Sequence, residues 1–271
     1  MTALIRGELL KIRTTNTWWL FGIGIVGFTG LALLINLLVA NDTLRHPENS
    51  DTSPADQLLT QAANVYTSGQ FFGGLFVLLL GMLLITNEFY HQTATATFLT
   101  TPHRSAVVSA KLITGMAFAA LFWLIITIID VVVGSLFLDG WGFSPSLGEW
   151  EVQRAILFNL LVFVLWSFIG VGFGALIRNQ VGAVVTGTLL YLIGTQLAQA
   201  VFFLIREYVI HDDRVLTAMV VVPAVAAQVL VSPTELYPES APYWVGAIVM
   251  VAYGVLAGAV GTLIMRTRDI S

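Results

Sequence analysis

The sequence predicts an all-α membrane protein: a single transmembrane domain of six helices, an amphipathic helix before the first span and a re-entrant element before the last. Three observations predict it. Of the 271 residues, 57% are hydrophobic and only 10% charged, against roughly 25% charged in an ordinary soluble domain. The mean hydropathy is +0.85, and the apolar residues gather in runs of about 18 or more, the length that crosses a hydrocarbon core. The bases cluster at one set of run ends and the acids at the other. Cysteine is absent, which excludes disulfides, thiolate metal sites and cysteine catalysis.

Taken in chain order, residues 1–17 come first. Ile5, Leu9 and Ile12 fall at helical spacing on one face, with Arg6 and Arg13 on another. Such a helix lies along a membrane surface, its bases toward anionic head groups. Glu8 and Lys11 are three apart, close enough for a weak surface pair. The same stretch also reads as a basic leader that only sets topology. It lacks the short apolar run and cleavage site of a signal peptide, so the first span serves as its own insertion signal. Trp18 and Trp19 mark the interface where the chain enters the bilayer.

The six spans are residues 18–40, 69–87, 107–138, 155–177, 181–205 and 243–265. Residues 41–68, rich in Asn, Asp, Ser and Pro, read as the most linker-like segment. Arg178, Asn179 and Gln180 alone join spans four and five, forcing a tight hairpin. Gly170 and Gly174 on span four, and Gly254 and Gly258 on span six, have the small-xxx-small spacing that lets helices approach closely in lipid. That spacing serves packing within one bundle or a seam between two copies. A seventh apolar stretch, residues 215–231, is interrupted by Pro223 and closed by Pro233, and is short for a span.

Charge decides its path. With six spans and an inner N-terminus, eight bases and three acids lie inside, namely Arg6, Lys11, Arg13, Arg104, Lys111, Arg178, Arg266 and Arg268 with Glu8, Glu88 and Asp269. Outside are four bases and twelve acids, and Asp130 sits within a span. This is the positive-inside pattern. A seventh crossing would move Arg266 and Arg268 outside, so residues 215–231 are expected to dip in without crossing. Both termini are then cytosolic and the protein resides in the plasma membrane.

Residues 88–106 form an inner loop longer than the 2 to 8 residues, roughly, that joining two helices requires. Glu88 stands where lipid gives way to water. Gln92 to Thr101 suits a short transverse helix stopped by Pro102, with Ser105 able to cap the following span. Held between two rigid spans, such a helix is a lever for a docking partner; a solvated interfacial loop is the alternative. The stretch "NEFYHQTATATFLTTPHRSAVVSAKL" resembles the first cytosolic loop of the membrane subunits of type-2 ABC exporters, in the version E-(F/Y)-(R/H)-H-G-T-A-T-A-T-F-L-x-T-P familiar from actinobacterial permeases. The matching residues are Glu88, His91, Thr93, Ala94, Thr95, Ala96, Thr97, Phe98, Leu99, Thr101, Pro102, Arg104 and Lys111. Gln92 departs from it, standing where the family usually has a glycine, which permits backbone angles that other residues adopt at a cost. Glu8, Lys11 and Arg13 are similar to the family's E-x-x-K-x-R elbow helix.

The resemblance implies a permease that works as a pair, a homodimer in the simplest case, docked through a coupling helix within residues 88–106 onto two cytosolic ABC ATPase subunits. ATP and Mg would bind those subunits, and no cofactor or metal this chain. It also implies that the element around Pro223 closes the extracellular end. The absence of a phosphate-binding G-x-x-x-x-G-K-[ST] motif agrees, since the only lysines, Lys11 and Lys111, lie in no glycine loop. Export of a lipophilic or amphipathic compound, a drug or antibiotic among them, fits a path lined by aromatic residues such as Phe72 and Phe76. Asp130 either lines that path or is an interfacial carboxylate near the outer end of span three. An ion-coupled secondary transporter would call for intramembrane charges or an internal repeat, and a non-transporting scaffold would have no use for a docking loop. His46, His91, His103 and His211 show no ligand spacing, no paired-carboxylate or Ser-His arrangement points to an intramembrane enzyme, and nothing points to nucleic acid.

Overall fold

The computed structural model describes residues 2–14, 17–49, 52–92, 104–177, 179–234, 236 and 239–267, and every regular element among them is helical. In chain order these are α1 (Thr2–Thr14), α2 (Thr17–Arg45), α3 (Pro54–Tyr66), α4 (Gln70–Tyr90), α5 (Arg104–Gly140), α6 (Trp150–Leu176), α7 (Gln180–Ile210), α8 (Arg214–Val221), α9 (Pro223–Val231) and α10 (Tyr243–Thr267). Six of these elements, with α3 and α4 counted as one, are long and apolar enough to cross a membrane.

The helices are held apart or together by what their glycines allow. On α6, a Cβ at Gly170 would run into the Leu78 carbonyl oxygen, and one at Gly174 would meet the Met82 backbone at 2.7 Å. These two glycines therefore seat α6 directly on α4, the closest helix pair at the centre of the bundle. Gly258 on α10, by contrast, has open space over it. Phe163, Val162, Val77 and Ile126 fill the centre between these helices.

Two expectations are corrected here. Residues 41–68 are not linker-like: α2 runs on to Arg45, and α3 occupies Pro54–Tyr66. Ser53 caps α3 by accepting the Asp56 N–H at 3.1 Å, and Pro54 occupies the first helical position, where its missing N–H costs nothing. Tyr66, fully buried, donates its hydroxyl to the Pro145 carbonyl at 2.7 Å, so α3 is tied to the α5–α6 connection. The second correction concerns α1, whose inward face carries Glu8 and Ile12, while Leu9 is exposed.

The stretch 214–231 is a pair of helices bent by 105° at Val222. Helix α9 is buried along Ala224–Ala227 and Val229–Val231, and Gly246 on α10 lets it approach so closely that a Cβ there would meet the Ala226 carbonyl at 2.5 Å. Helix α9 is thus packed within the protein.

Candidate functional site

The strongest concentration of charge lies where α1, the end of α4 and the start of α5 converge. Lys11 Nζ donates to Glu8 Oε1 at 2.7 Å and to Glu88 Oε1 at 2.9 Å. Lys111 Nζ donates to Glu8 Oε2 at 2.8 Å and lies 3.0 Å from Glu88 Oε1. Its third proton goes to the Leu84 carbonyl at 2.7 Å. Both lysines of the chain thus meet two of its acids in a neutral, alternating square. Glu8 and Lys11 are no weak surface pair: Glu8 is 5% exposed and Lys111 fully buried. Burying Glu8, Glu88 and Lys111 is tolerable because each finds a partner of opposite sign.

Local chemistry places each member. Glu8 faces inward because Ile12, one turn on, packs with Leu84, Ile85 and Val108. Glu88 is in the last turn of α4, and Lys111 is two turns into α5 on the face that carries Val107 and Val108 into the core. Burial disfavours the Lys11 cation, but hydrogen bonds and attraction from Glu8 and Glu88 outweigh it and raise its pKa above the ordinary lysine value. Nearby, Gln180 Nε2 donates to Asn87 Oδ1 at 3.0 Å, joining the start of α7 to the same end of α4. Asn179 caps α7 by accepting the Gly182 N–H.

Helix α4 ends at Tyr90, and Gln92 follows with φ +55°. The non-glycine residue at the family's glycine position adopts the left-handed conformation that glycine takes freely. Thr93, Thr95, Thr97, Phe98, Leu99 and Pro102 lie outside the described residues, as does the side chain of Arg104, whose backbone begins α5. Arg13 is exposed on α1.

Asp130 is fully buried and is not a water-exposed interfacial carboxylate. It lies 19 residues beyond Lys111 on α5, about 28 Å along a helix and so close to one hydrocarbon thickness away. There its Oδ2 accepts the backbone N–H of Gly69 at 3.2 Å. Gly69 is the residue from which α4 starts, and no side chain of its own caps that helix. Asp130 therefore supplies, from another helix, an acceptor for a backbone N–H at the start of α4. Phe72 and Phe76 pack on α2, with ring centroids 4.9 Å apart for Phe28–Phe72 and 5.6 Å for Phe21–Phe76. Pro223 is the first residue of α9, directly after the 105° bend.

Sequence reasoning missed Arg154, which it counted only among the outer bases. It is 8% exposed, donates Nη2 to the Ser232 carbonyl at 2.8 Å, and stacks its guanidinium 4.0 Å over the Tyr243 ring. A cation on the carbonyl that follows α9 fixes the end of that helix. An arginine directly before an apolar run, Ala155-Ile156-Leu157-Phe158, was the available signal. Asn159, buried on α6 with neither amide atom bonded, was also missed. Among the described residues no group of three or more His, Cys, Asp or Glu could hold a metal ion.

Comparison with known proteins completes the site. A family model described as ABC-2 family transporter protein matches residues 4–196, from the elbow helix through the first half of α7 and including the charge square. Among curated proteins none matches the chain.

Proposed function

This chain belongs to the ABC-2 family of transporter proteins, and on that premise we propose that it is the permease subunit of an ATP-driven exporter, working as a homodimer docked on two separate ABC ATPase subunits. The chain is a multi-pass membrane protein; the proposed orientation puts both termini and the charge square on the cytosolic side of the plasma membrane, in keeping with the positive-inside bias. ATP and Mg bind the partner. Residues 88–106 dock into the ATPase through Thr93, Thr95, Thr97, Phe98, Leu99 and Pro102, and closure of the ATPases pushes that segment.

The observation that carries this reading is the Glu8–Lys11–Glu88–Lys111 square. It joins the elbow helix and both ends of the docking loop into one rigid piece, so a push on the loop moves α1, α4 and α5 together rather than bending one of them. Helix α9, bent at Val222 and anchored by Arg154, serves as the outer gate beyond Pro223. Exposed apolar faces on α2, α7 and α10 suit lipid and a second copy, and the Phe72 and Phe76 surface suits lipophilic or amphipathic cargo.

The test uses the permease reconstituted with its ATPase subunit in liposomes. Glu88→Gln and Lys111→Met should each lower substrate-stimulated ATPase activity and transport together, leaving basal hydrolysis by the partner intact. Unchanged coupling in both variants, or transport by the purified chain with no nucleotide-binding protein present, would refute it.

A further inference from the structure

Beside the charge square runs a groove that neither the family nor the proposed mechanism accounts for. Its volume is about 240 Å³. One wall is a single stripe of α4: Leu80, Leu83, Leu84, Asn87, Glu88 and then His91 just past the helix end. Their spacing of 3, 4, 7, 8 and 11 residues keeps them on one face over about 16 Å. The other wall is α1, contributing Glu8, Lys11 and Ile12. The groove is therefore graded along the membrane normal, leucines in the hydrocarbon and charges at the surface. A pocket of this size is smaller than the roughly 300–1,000 Å³ that drug-sized ligands fill. Apolar cavities stay dry and take apolar occupants, so this one fits a length of acyl chain.

Its polar end has one open position. Glu8 uses both oxygens, and all three protons of Lys111 have acceptors. Glu88 is only 2% exposed, and its Oε2 is buried with no donor among the described residues. A buried carboxylate oxygen without a donor is costly, and Lys11, which donates to the other oxygen of the same carboxylate, is half-exposed. The groove mouth thus offers an acceptor for an N–H and a neighbouring cation for an anion, in register with an apolar slot below.

We propose that this groove binds one membrane phospholipid whose head group carries a primary ammonium, an ethanolamine-type lipid of the leaflet at that end. The ammonium donates to Glu88 Oε2, the phosphate faces Lys11, and one acyl chain lies along Leu83 and Leu80. A choline head group has no N–H to donate, and a glycerol head group has no positive charge for the carboxylate. The site shares Glu88 and Lys11 with the charge square, but its test reads lipid retention and not transport, so either reading can fail without the other.

The experiment is native mass spectrometry of the full chain released from nanodiscs of equimolar phosphatidylethanolamine, phosphatidylcholine and phosphatidylglycerol with identical acyl chains. Retention of the ethanolamine lipid should exceed that of the choline lipid about tenfold, the worth of one charge-assisted hydrogen bond. Leu83→Trp, which fills the slot, should abolish that preference, whereas Leu121→Trp, on an exposed position of α5, should not. As a check free of any variant, a phosphatidylethanolamine with a photoreactive acyl chain should label residues 80–91 or α1 of the wild-type chain. Equal retention of ethanolamine and choline lipids, a preference that survives Leu83→Trp, or labelling spread evenly over exposed faces such as α7 would each overturn the proposal.

Discussion

The two lysines of the charge square make the same kind of contacts, yet they should differ sharply in what they contribute, because burial separates them. Lys111 is fully buried and bonded to Glu8, Glu88 and the Leu84 carbonyl. Replacing it with Met leaves two buried carboxylates sharing one half-exposed lysine, so the square carries an uncompensated negative charge. Removing one partner from a buried ion pair costs about 3–5 kcal/mol. Lys11 sits at the rim with its side chain 46% exposed, and solvent screening reduces its worth to within about 1 kcal/mol. Thermal unfolding of the detergent-solubilised chain, followed by intrinsic tryptophan fluorescence, reads both. Lys111→Met should lower the midpoint on the order of 10 °C, and Lys11→Met by a small fraction of that. The decisive comparison is the double variant Lys111→Met with Glu88→Gln, which restores neutrality. If the square is one cooperative unit, the double variant recovers more than about 1 kcal/mol relative to the sum of the singles. Additive losses, or equal losses from the two lysines, would refute the reasoning.

Four further outcomes follow from particular contacts. Gln92→Gly should raise stability by about 1 kcal/mol, because φ +55° strains any residue with a Cβ; Gln92→Val should lower it, and unfolding midpoints report both. Gly69→Ala should be worse than Asp130→Asn: the new Cβ would collide with Ile126 and lie 3.0 Å from Thr29 Oγ1, an overpacking cost of about 1–3 kcal/mol, while Asp130→Asn keeps an acceptor for the Gly69 N–H and should stay within about 1 kcal/mol. Gly170→Ala should destabilise the chain strongly through the Leu78 carbonyl, whereas Gly258→Ala, facing open space, should stay within about 0.5 kcal/mol. Finally, the raised pKa of Lys11 means that its stabilising contribution is fully present below the ordinary lysine value of 10.5 and is lost as pH rises through the higher folded value. The difference between wild type and Lys11→Met should therefore hold from pH 7 to 10 and vanish at more alkaline pH; a difference that disappears below pH 9 would contradict the ion pairing.

The six crossing helices were legible because lipid imposes length and apolarity on each span separately, a constraint that can be read within one run of residues. The break before α4 was less so. Its start at Gln70 was visible as the polar Ser68-Gly69 pair, but that Asp130 caps it depends on α5 passing beside it, 61 residues away. The charge square shows the same limit more plainly. Glu8, Lys11, Glu88 and Lys111 all attracted notice individually, yet sequence spacing reveals only the contact between Glu8 and Lys11. The others join Glu88 to Lys111, and residues 77 and 103 positions apart. On α1 the Ile5–Leu9–Ile12 stripe does not say which of its members turns inward: Ile12 is buried beside Glu8, while Leu9 stays exposed. Arg154 was hidden for a similar reason: its partners, the Ser232 carbonyl and the Tyr243 ring, belong to the connection after α9 and the start of α10.

Why the joint should be made of charges at all bears on the proposed coupling. A buried ion pair is often no more stabilising than apolar residues of equal volume, so stability alone would favour leucines at these four positions. Apolar surfaces, however, are indifferent to small rotations and slips, while the square is satisfied at one rotation of α1 and one axial register of α4 against α5. Turning α1 by a single residue, about 100°, would take Glu8 away from Lys111 and Lys11 away from Glu88, breaking both contacts that tie α1 to α4 and α5. A lateral push that tried to slide α4 past α5 would meet the same penalty from Glu88. The joint therefore resists the displacements that would dissipate force, while the open apolar faces of α2, α7 and α10 leave the clamped unit free to move as a whole within the bilayer.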